Sequence, residues 1–227
     1  MSVPPSMATL VTLLRSNSFF AGLSEEVVRS LAERATWRDY GAGEMVFLEG
    51  EDSAGLSVLQ SGWLKIVKIA PDGREQVLRF LEAGEAFNAL ALLSDRPNTA
   101  TAIALEPAGV WHLQREAVLG LLRQQPDFAE RLLASMAEHL VALVKLVEDL
   151  SLRPVTGRLA RLILTQAEGD VLHRPRWYTQ AELAAQLGTV TDVVQRALSG
   201  LAADGLIEVE RNQIVIRDRA GLEALAA

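Results

Sequence analysis

The chain has 227 residues, of which 49% are hydrophobic and 22% charged, a balance typical of a globular protein large enough for two domains. It contains no cysteine, which excludes disulfides, thiolate zinc sites, iron–sulfur clusters and cysteine nucleophiles. No apolar run reaches the roughly eighteen residues needed to cross a bilayer, and residues 1–10 lack the basic start of a signal peptide. We therefore expect a cytoplasmic protein.

Charge is distributed unevenly along the chain. The formal net charge is −7, yet residues 151–227 carry nine arginines and nine acidic residues, whereas residues 1–150 carry 13 basic and 20 acidic residues. Because salt screens charges beyond roughly 8 Å, the charge of each domain matters more than the total. The neutral C-terminal part can bind nucleic acid if its arginines cluster on one face, with modest, salt-sensitive non-specific affinity.

The N-terminal part, residues 1–125, has the pattern of a β-domain. A helix-start signal at Ser24 precedes a short amphipathic segment that places Val28 and Leu31 on one face. From about Trp37 onward, short apolar or alternating runs are separated by glycines or by Pro-Asp-Gly, which is typical of a β-sandwich or barrel. The predicted strands are Met45–Leu48, Leu56–Leu59, Trp63–Ile69, Gln76–Phe80, Thr101–Ala104 and Val110–Leu113.

A long helix is predicted for residues 126–153. The segment begins at Pro126 and Asp127, a helix-start signal, and continues without glycine or proline as far as Pro154. Its apolar residues recur at alternating spacings of four and three over about three heptads, as in a coiled coil, so we expect a homodimer. This stripe is Ala129, Leu133, Met136, Leu140, Leu143, Val147 and Leu150, of which the last six are predicted to form the dimer interface.

The predicted helix also has a second apolar face, made of Leu132, Val141, Val144 and Leu146. Two arrangements fit this pattern. The helix either packs only on its own β-domain, or docks there through the second face while the heptad stripe meets a partner helix. We expect the second arrangement, because a single neighbour cannot bury both faces.

Residues 154–227 contain a helix-turn-helix pattern. The segment Thr179–Glu182 is a capping box, and the helix that it starts ends at Gly188, which supplies the backbone angles of a tight turn. A second helix begins near Thr191. Its inner face is Val193, Val194, Ala197, Leu198 and Leu201, and its outer face is Thr191, Asp192, Gln195, Arg196 and Ser199.

The outer face of the second helix suits the recognition of base edges in double-stranded DNA. Arg196 can donate two hydrogen bonds to guanine, and Asp192 can accept one from the amino group of cytosine. Gln195 or Thr191 can bond to a base or to a phosphate. The alternative is a solvated face without a ligand. The helix-turn-helix arrangement favours DNA, because it exposes one face of the second helix while the other holds the domain together.

A β-hairpin, or wing, is predicted after the two helices. Leu206–Val209 and Ile214–Ile216 alternate in polarity on either side of Arg211 and Asn212. The tip of the hairpin could contact phosphates, or the hairpin could serve only to cover the helical core. The predicted DNA-binding residues are Thr179, Gln180, Thr189, Thr191, Asp192, Gln195, Arg196, Ser199, Arg211 and Asn212.

These features together resemble the cyclic-AMP receptor protein and fumarate/nitrate reduction regulator family (CRP/FNR). The resemblance rests on the glycine-punctuated roll, Gly84–Leu93, Val155–Arg158, and Leu187–Thr189 leading to Arg196, and it covers nearly the whole chain. It implies an α+β protein with an N-terminal double-stranded β-helix (jelly-roll) sensor domain, a dimerisation helix and a C-terminal winged helix-turn-helix. Such proteins regulate transcription beside RNA polymerase and bind inverted repeats as homodimers.

The resemblance also implies roles for single residues of the second helix. In such proteins the position of Arg196 typically reads guanine, and an acidic residue at the position of Asp192 supports base recognition. The usual glutamate is shortened to aspartate here, and an arginine that often precedes it is Thr191. These departures leave the sequence of the half-site open.

The effector pocket that the resemblance implies departs from the cyclic-AMP branch. Asn98 and Ala89 match the positions of a phosphate-binding arginine and a ribose-binding glutamate, and Leu143 and Val144 replace hydroxyl side chains that meet the adenine. An anionic nucleotide would lose polar partners at a cost on the order of several kcal/mol, so we expect no tight cyclic-AMP binding. The predicted pocket, for an unknown small molecule or none, is Phe87, Asn88, Ala89, Asn98, Thr99, Leu143 and Val144.

Other functions are compatible with parts of the sequence. A haem-sensing or other small-ligand-sensing regulator of the same family could use His112 or His139 as an axial ligand. A regulatory module could use its helix-turn-helix for protein contacts. A metal-dependent β-barrel enzyme would need clustered histidines and acids on neighbouring strands, whereas the predicted roll has only His112 at its end. We predict a regulator that is not an enzyme and has no metal site or cofactor.

Overall fold

The computed structural model describes residues 4–53, 55–94 and 96–226, which form two compact units. The first unit comprises residues 1–68 and 79–142 within those limits, and the second comprises Ile69–Leu78 and residues 143–227 within them. Across the described part of the chain, the helices are all too short or too polar to span a membrane.

Two four-stranded antiparallel sheets form the roll of the first unit, with the strand orders β1-β8-β3-β6 and β2-β7-β4-β5. The tip of the β4–β5 hairpin is assigned to the second unit. All six predicted strands are present, and two strands were not predicted, β1 and β6. The strands are β1 Thr36–Tyr40, β2 Met45–Phe47, β3 Gly55–Ser61, β4 Leu64–Ile69, β5 Glu75–Leu81, β6 Ala86–Phe87, β7 Thr101–Ala104 and β8 Ala108–Gln114.

Successive residues of β3 serve two separate cores, because side chains alternate between the two faces of a strand. Val58 packs into a cluster with the helices of this unit, whereas Leu59 packs into a cluster between the two sheets. Trp111 and Val110 divide in the same way on β8. Both faces of the central strands are thus buried, which explains their nearly continuous apolar sequence.

Four short helices surround the roll: α1 Met7–Ser16, α2 Glu25–Ala32, α3 Ala89–Ser94 and α4 Arg115–Gln124. The Ser24 hydroxyl accepts a hydrogen bond from the Val27 amide, which confirms the predicted start of α2. Sequence reasoning missed α1, although Leu10 and Leu14 lie one turn apart and are fully buried. It also missed α3 and α4.

The predicted long helix is α5, Pro126–Leu152. Phe128 and Leu132 are buried at its beginning and pack in the helical core cluster of the first unit. The prediction of a continuous second docking face is wrong, because Val141 and Val144 are 54% and 60% exposed. Docking of α5 within the first unit therefore involves its first half, from the buried Phe128 and Leu132 to His139, whose ring contacts Arg79 of β5.

The second unit combines helices with a three-stranded sheet of order β10-β11-β9. Helix α9 packs on α6. The two backbones come close at Gly157, where a Cβ atom would lie 2.9 Å from the Leu225 carbonyl oxygen. Strand β9 and helix α9 were not predicted. The elements are α6 Val155–Gln166, β9 Val171–His173, α7 Gln180–Leu187, α8 Thr191–Ala203, β10 Ile207–Val209, β11 Gln213–Ile216 and α9 Arg219–Ala226.

Candidate nucleic-acid interface

Helix α7 begins and ends as the sequence predicts. The Thr179 hydroxyl accepts a hydrogen bond from the Glu182 amide at 3.3 Å, which satisfies one of the free amides of the first turn. Gly188 ends the helix in the left-handed conformation, with φ of 63°, and its amide donates to the Ala184 carbonyl. Because side chains other than glycine are strained in that conformation, glycine at this position fixes the tight turn into α8.

Helix α8 separates apolar from polar residues sharply, as predicted. Its buried face consists of Val194, Ala197, Leu198 and Leu201, and Val193 is half-buried. This face holds α8 in the core of the domain. The five predicted outer residues are all exposed: Thr191, Asp192, Gln195, Arg196 and Ser199.

Contacts within the domain leave most of the α8 outer face open. The Arg196 guanidinium makes one long hydrogen bond, from Nε to the Asp192 carbonyl at 3.4 Å. Gln195 accepts a hydrogen bond from the side chain of Gln180 on α7, so these two predicted residues are brought together. Thr189 is half-buried in the turn, and its amide donates to the Ala184 carbonyl.

The predicted wing is formed by β10 and β11, with Ile207 opposite Ile216 and Val209 opposite Ile214. Ile214 and Ile216 are buried, so the strands cover the helical core, while Arg211 and Asn212 are exposed at the tip. The third strand, β9, pairs with β11 and places the segment before α7 beside the tip.

The nine arginines of residues 151–227 fall into two groups. Most are occupied: Arg153 and Arg161 pair with carboxylates of α5, Arg158 donates to α5 carbonyls, Arg217 pairs with Glu208, and Arg219 pairs with Asp170. The second group, like Arg158, makes no ion pair with any carboxylate of the described residues, and it makes no hydrogen bond to α5. It consists of Arg174, Arg176, Arg196 and Arg211.

The arginines of the second group explain how a domain without net charge can attract an anionic partner. Arg196 lies on the outer face of α8, Arg211 lies at the wing tip, and Arg174 and Arg176 precede α7. Glu208, Asp170 and two carboxylates of α5 pair with arginines elsewhere in the domain, whereas the arginines around the helix-turn-helix have no such partner among the described residues.

Tyr178 anchors the segment before α7, and sequence reasoning missed it. Its side chain is buried, and its hydroxyl lies within hydrogen-bond distance of the side-chain oxygens of Gln166, at 2.9 Å, and Gln186, at 2.5 Å. Burial raises the pKa of this phenol, so it stays neutral. In the sequence, only its position directly before the capping Thr179 marks this tyrosine.

The residues predicted for the effector pocket have varied environments. Phe87, Ala89 and Asn98 are buried, Thr99 is exposed, and Asn88 has a positive φ of 69°. The Asn98 amide nitrogen donates to the Leu48 carbonyl at 3.2 Å. Its carbonyl oxygen is buried and has no hydrogen-bond partner among the described residues. Leu143 and Val144 lie on the part of α5 assigned to the second unit and are exposed.

Both candidate haem-binding histidines have side-chain partners. His112 contacts the Ser57 hydroxyl through Nδ1 at 2.9 Å and the Tyr40 hydroxyl through Nε2 at 3.0 Å. Burial lowers its pKa. The pKa of His139 is lowered by burial and by Arg79, whose guanidinium contacts Nε2 of the histidine. Within the described residues, no three histidine, aspartate or glutamate side chains are placed to hold a metal ion.

The predicted dimer stripe is largely uncovered on α5. Leu133, Leu140 and Val147 are 66%, 63% and 63% exposed, and Leu143 is 42% exposed. Met136 and Leu150 are half-buried. Large aliphatic side chains at heptad spacing are rarely left in water, so this stripe has the character of an interface.

Comparison with known proteins agrees with this architecture. The description "Cyclic nucleotide-binding domain" matches residues 37–125, and "Crp-like helix-turn-helix domain" matches residues 157–225. The "CRP-like cAMP-activated global transcriptional regulator" of Mycobacterium tuberculosis is 29% identical over 212 residues, which are 91% of this chain and 95% of the relative. The "Probable transcriptional regulator flp" of Lacticaseibacillus casei is 32% identical over 185 residues, covering 80% and 83%.

A solved structure shows the same fold. FixK2 from Bradyrhizobium japonicum superposes with a TM-score of 0.74 at 24% identity, covering 85% of this chain and 98% of the other. The fold and the matched domains define a class of winged helix-turn-helix transcription regulators with a cyclic-nucleotide-binding-type N-terminal domain, not of enzymes. Within that class, the chain belongs to the CRP/FNR family of transcription regulators.

Proposed function

We propose that this protein is a homodimer that binds an inverted repeat in double-stranded DNA and regulates transcription beside RNA polymerase. The observation that carries the proposal is the outer face of α8, where an exposed arginine without a carboxylate partner among the described residues lies among hydrogen-bonding side chains. Such a helix fits the major groove, where arginine and aspartate distinguish base pairs. Acting on DNA, the protein would work in the cytoplasm.

The dimer part of the proposal rests on the exposed heptad stripe of α5. Two copies of α5 packed through Leu133, Leu140 and Val147 would bury side chains that are each more than 60% exposed in one subunit. A two-fold axis along this stripe would relate two copies of α8, and two-fold symmetric proteins read two-fold symmetric DNA.

Selection from a random-sequence DNA pool tests this function. We expect the purified protein to enrich an inverted repeat whose half-sites are about one helical turn apart. Enrichment without sequence preference would contradict DNA reading and would favour the use of the helix-turn-helix for protein contacts.

We further propose that cyclic AMP does not control this regulator. The Asn98 amide nitrogen is already bonded to Leu48, and the buried carbonyl oxygen that remains can only accept a hydrogen bond. An acceptor repels an anionic phosphate, and the buried Ala89 offers nothing to a ribose hydroxyl. Haem or another small ligand remains the alternative for the sensor domain.

Isothermal titration of the purified protein with cyclic AMP measures this directly. We expect no binding at micromolar concentrations, because neither Asn98 nor Ala89 can replace the missing cation and acceptor. Micromolar or tighter affinity would overturn the second proposal without affecting the first, because DNA selection is measured separately.

A further inference from the structure

A joint of two residues connects α5 to α6 within the second unit. Helix α5 ends at Leu152 and α6 begins at Val155, so only Arg153 and Pro154 lie between them. The proline ring holds φ of Pro154 at −65°, which removes one backbone rotation from the joint. The angle between the end of α5 and α6 therefore depends on the few remaining rotations and on the side chains around the joint.

Charged side chains from both helices meet at the joint. Oδ1 of Asp149, in the last turn of α5, accepts hydrogen bonds from Arg153 at 2.8 Å and from Arg161 of α6 at 3.3 Å. Glu148 accepts another from Arg153 at 2.8 Å. The side chains of Asp149 and Arg153 are only 25% and 15% exposed, so salt screens their attraction less than that of a surface pair. Asp149 thus links α5 to the joint and to α6.

The end of α5 makes two further contacts in the same unit. The Arg158 guanidinium of α6 donates to the Leu150 carbonyl at 3.2 Å, which satisfies one of the free carbonyls at the end of α5. The Leu150 side chain lies against the turn between α7 and α8, where a Cβ atom at Gly188 would lie 2.7 Å from Cδ2 of the leucine. Helix α6 also packs on α8. The contacts around the joint therefore determine how α8 is oriented relative to the end of α5.

We propose that Asp149, through Arg153 and Arg161, sets the half-site spacing that the dimer accepts. The inference rests on the proposed homodimer, because spacing matters only when two α8 helices bind one duplex. A two-fold axis along α5 relates the two copies of α8, so a change in the angle between α5 and α6 alters the distance between them. Asp149 is not among the predicted DNA-binding residues, and its role is to position α8.

Duplexes with the selected half-sites at the preferred spacing, or with one or two base pairs added or removed, measure this preference. Binding of the wild-type protein to an altered spacing requires a change at the joint, which breaks the ion pairs of Asp149 in both subunits. Asp149→Asn should therefore lower the ratio of the affinities at the preferred and altered spacings by about fivefold, the order expected for one weakened cluster in each subunit. Affinity for a duplex with a single half-site should stay at the wild-type value, because α8 is unchanged.

Arg161→Gln tests the same contact from α6. Because either substitution breaks the same ion pair, the double variant Asp149→Asn/Arg161→Gln should relax the spacing preference no further than Asp149→Asn alone. The control is Asp170→Asn, which removes the same charge from an ion pair between the segment before β9 and the start of α9. The control should keep the wild-type ratio. Circular dichroism melting verifies folding, and Arg161→Gln gives the same readout if Asp149→Asn does not fold.

The possible results separate this inference from the function on which it rests. An unchanged ratio in the folded Asp149 variant, or an equal fall in the Asp170 control, would overturn the inference alone. An equal loss of affinity for the single half-site and for every spacing would also overturn it, because Asp149 would then support α8 itself. A wild-type protein without any spacing preference would overturn the proposed dimer on an inverted repeat, and this inference with it.

Discussion

The Arg196 side chain is available to a ligand for two reasons. It lies on the exposed face of α8, and its neighbours give it only one long hydrogen bond. The α8 face beneath it is buried, and its one hydrogen bond is a long contact with a carbonyl of its own helix. A guanidinium in this state can exchange that contact for two hydrogen bonds to guanine with little loss.

Arg196→Ala should therefore weaken binding to the preferred site by about 1–3 kcal/mol and relax the preference at one base pair. Competition binding with single-base variants of the site measures both effects. Arg217→Ala, which removes the same charge from a residue paired with Glu208, serves as the control. Equal weakening on every sequence would instead identify Arg196 as a phosphate contact.

His112 is a buried histidine whose ring nitrogens both contact hydroxyl groups, one from Ser57 and one from Tyr40. Burial lowers its pKa from the ordinary value of 6.5, so the folded protein binds a proton less readily than the unfolded chain does. The stability that depends on neutral His112 is present above pH 6.5 and is lost as the pH falls below it.

The free energy of unfolding should therefore decrease as the pH falls from about 6.5 to 5, a window that also includes the contribution of His139. Urea denaturation at a series of pH values measures this slope. His112→Gln should flatten it, whereas His173→Gln, at an exposed site, is the control. The lowered pKa values of Glu44, Asp72 and Glu148 act only below about pH 4.5 and fall outside this window. An unchanged slope in His112→Gln would contradict the account.

At the scale of elements, α5 shows what periodicity can and cannot predict. The helix and its heptad stripe follow from the sequence, because both depend on local spacing. The second face fails at Val141 and Val144, because the sequence does not indicate how far along the helix the β-domain extends. Only Leu132 of that face is fully buried.

Leu140→Asp should dissociate the proposed dimer, because it would place two carboxylates opposite each other across the two-fold axis. The cost is on the order of 3 kcal/mol, which raises the dimer dissociation constant by about 100-fold. Sedimentation analysis over a range of concentrations measures this constant. Ala142→Asp adds the same charge two residues away, off the stripe, and should leave the dimer intact. If both variants associate equally, the stripe is not the interface.

The elements that sequence reasoning missed share a physical reason. Strand β9 is three residues long and exists through pairing with β11, about forty residues later, so no local pattern marks it. The start of α4 at Gln114 has no side-chain cap, and α3 has only six residues. By contrast, α7 and α8 were predicted well because a capping threonine, a glycine turn and a 3.6-residue period all mark them locally.

The candidate site also has one part that local sequence patterns predict and one part that depends on long-range pairing. The exposure of Thr191, Asp192 and Arg196 follows from the periodicity of one helix. Arg174 and Arg176 lie beside the wing tip because β9 pairs with β11. In the sequence they are more than thirty residues from Arg211, so the sequence alone does not predict that they lie together. Long-range pairing is the part of the site that spacing cannot reveal.

For the whole molecule, the distribution of charge indicates different roles for the first and second parts of the chain in DNA binding. The acidic excess lies in residues 1–150, while residues 151–227 are neutral and leave five of their nine arginines without a carboxylate partner among the described residues. An acidic first part opposes non-specific attachment to DNA, so binding should depend on specific contacts of the second part. In the first part, Asn98 offers no cation to a phosphate and Ala89 offers no acceptor to a ribose hydroxyl, which supports the proposal that cyclic AMP does not control the protein.

Binding to duplexes with controlled half-site spacing tests the central claim most directly. Two copies of the selected half-site are placed about one helical turn apart, or shifted by a further half turn, and the mass and affinity of each complex are measured by sedimentation. We predict two subunits on one duplex and high affinity only at the one-turn spacing, because a two-fold dimer presents both α8 helices to one face of the DNA. A single subunit that binds with the same affinity at both spacings would contradict the account.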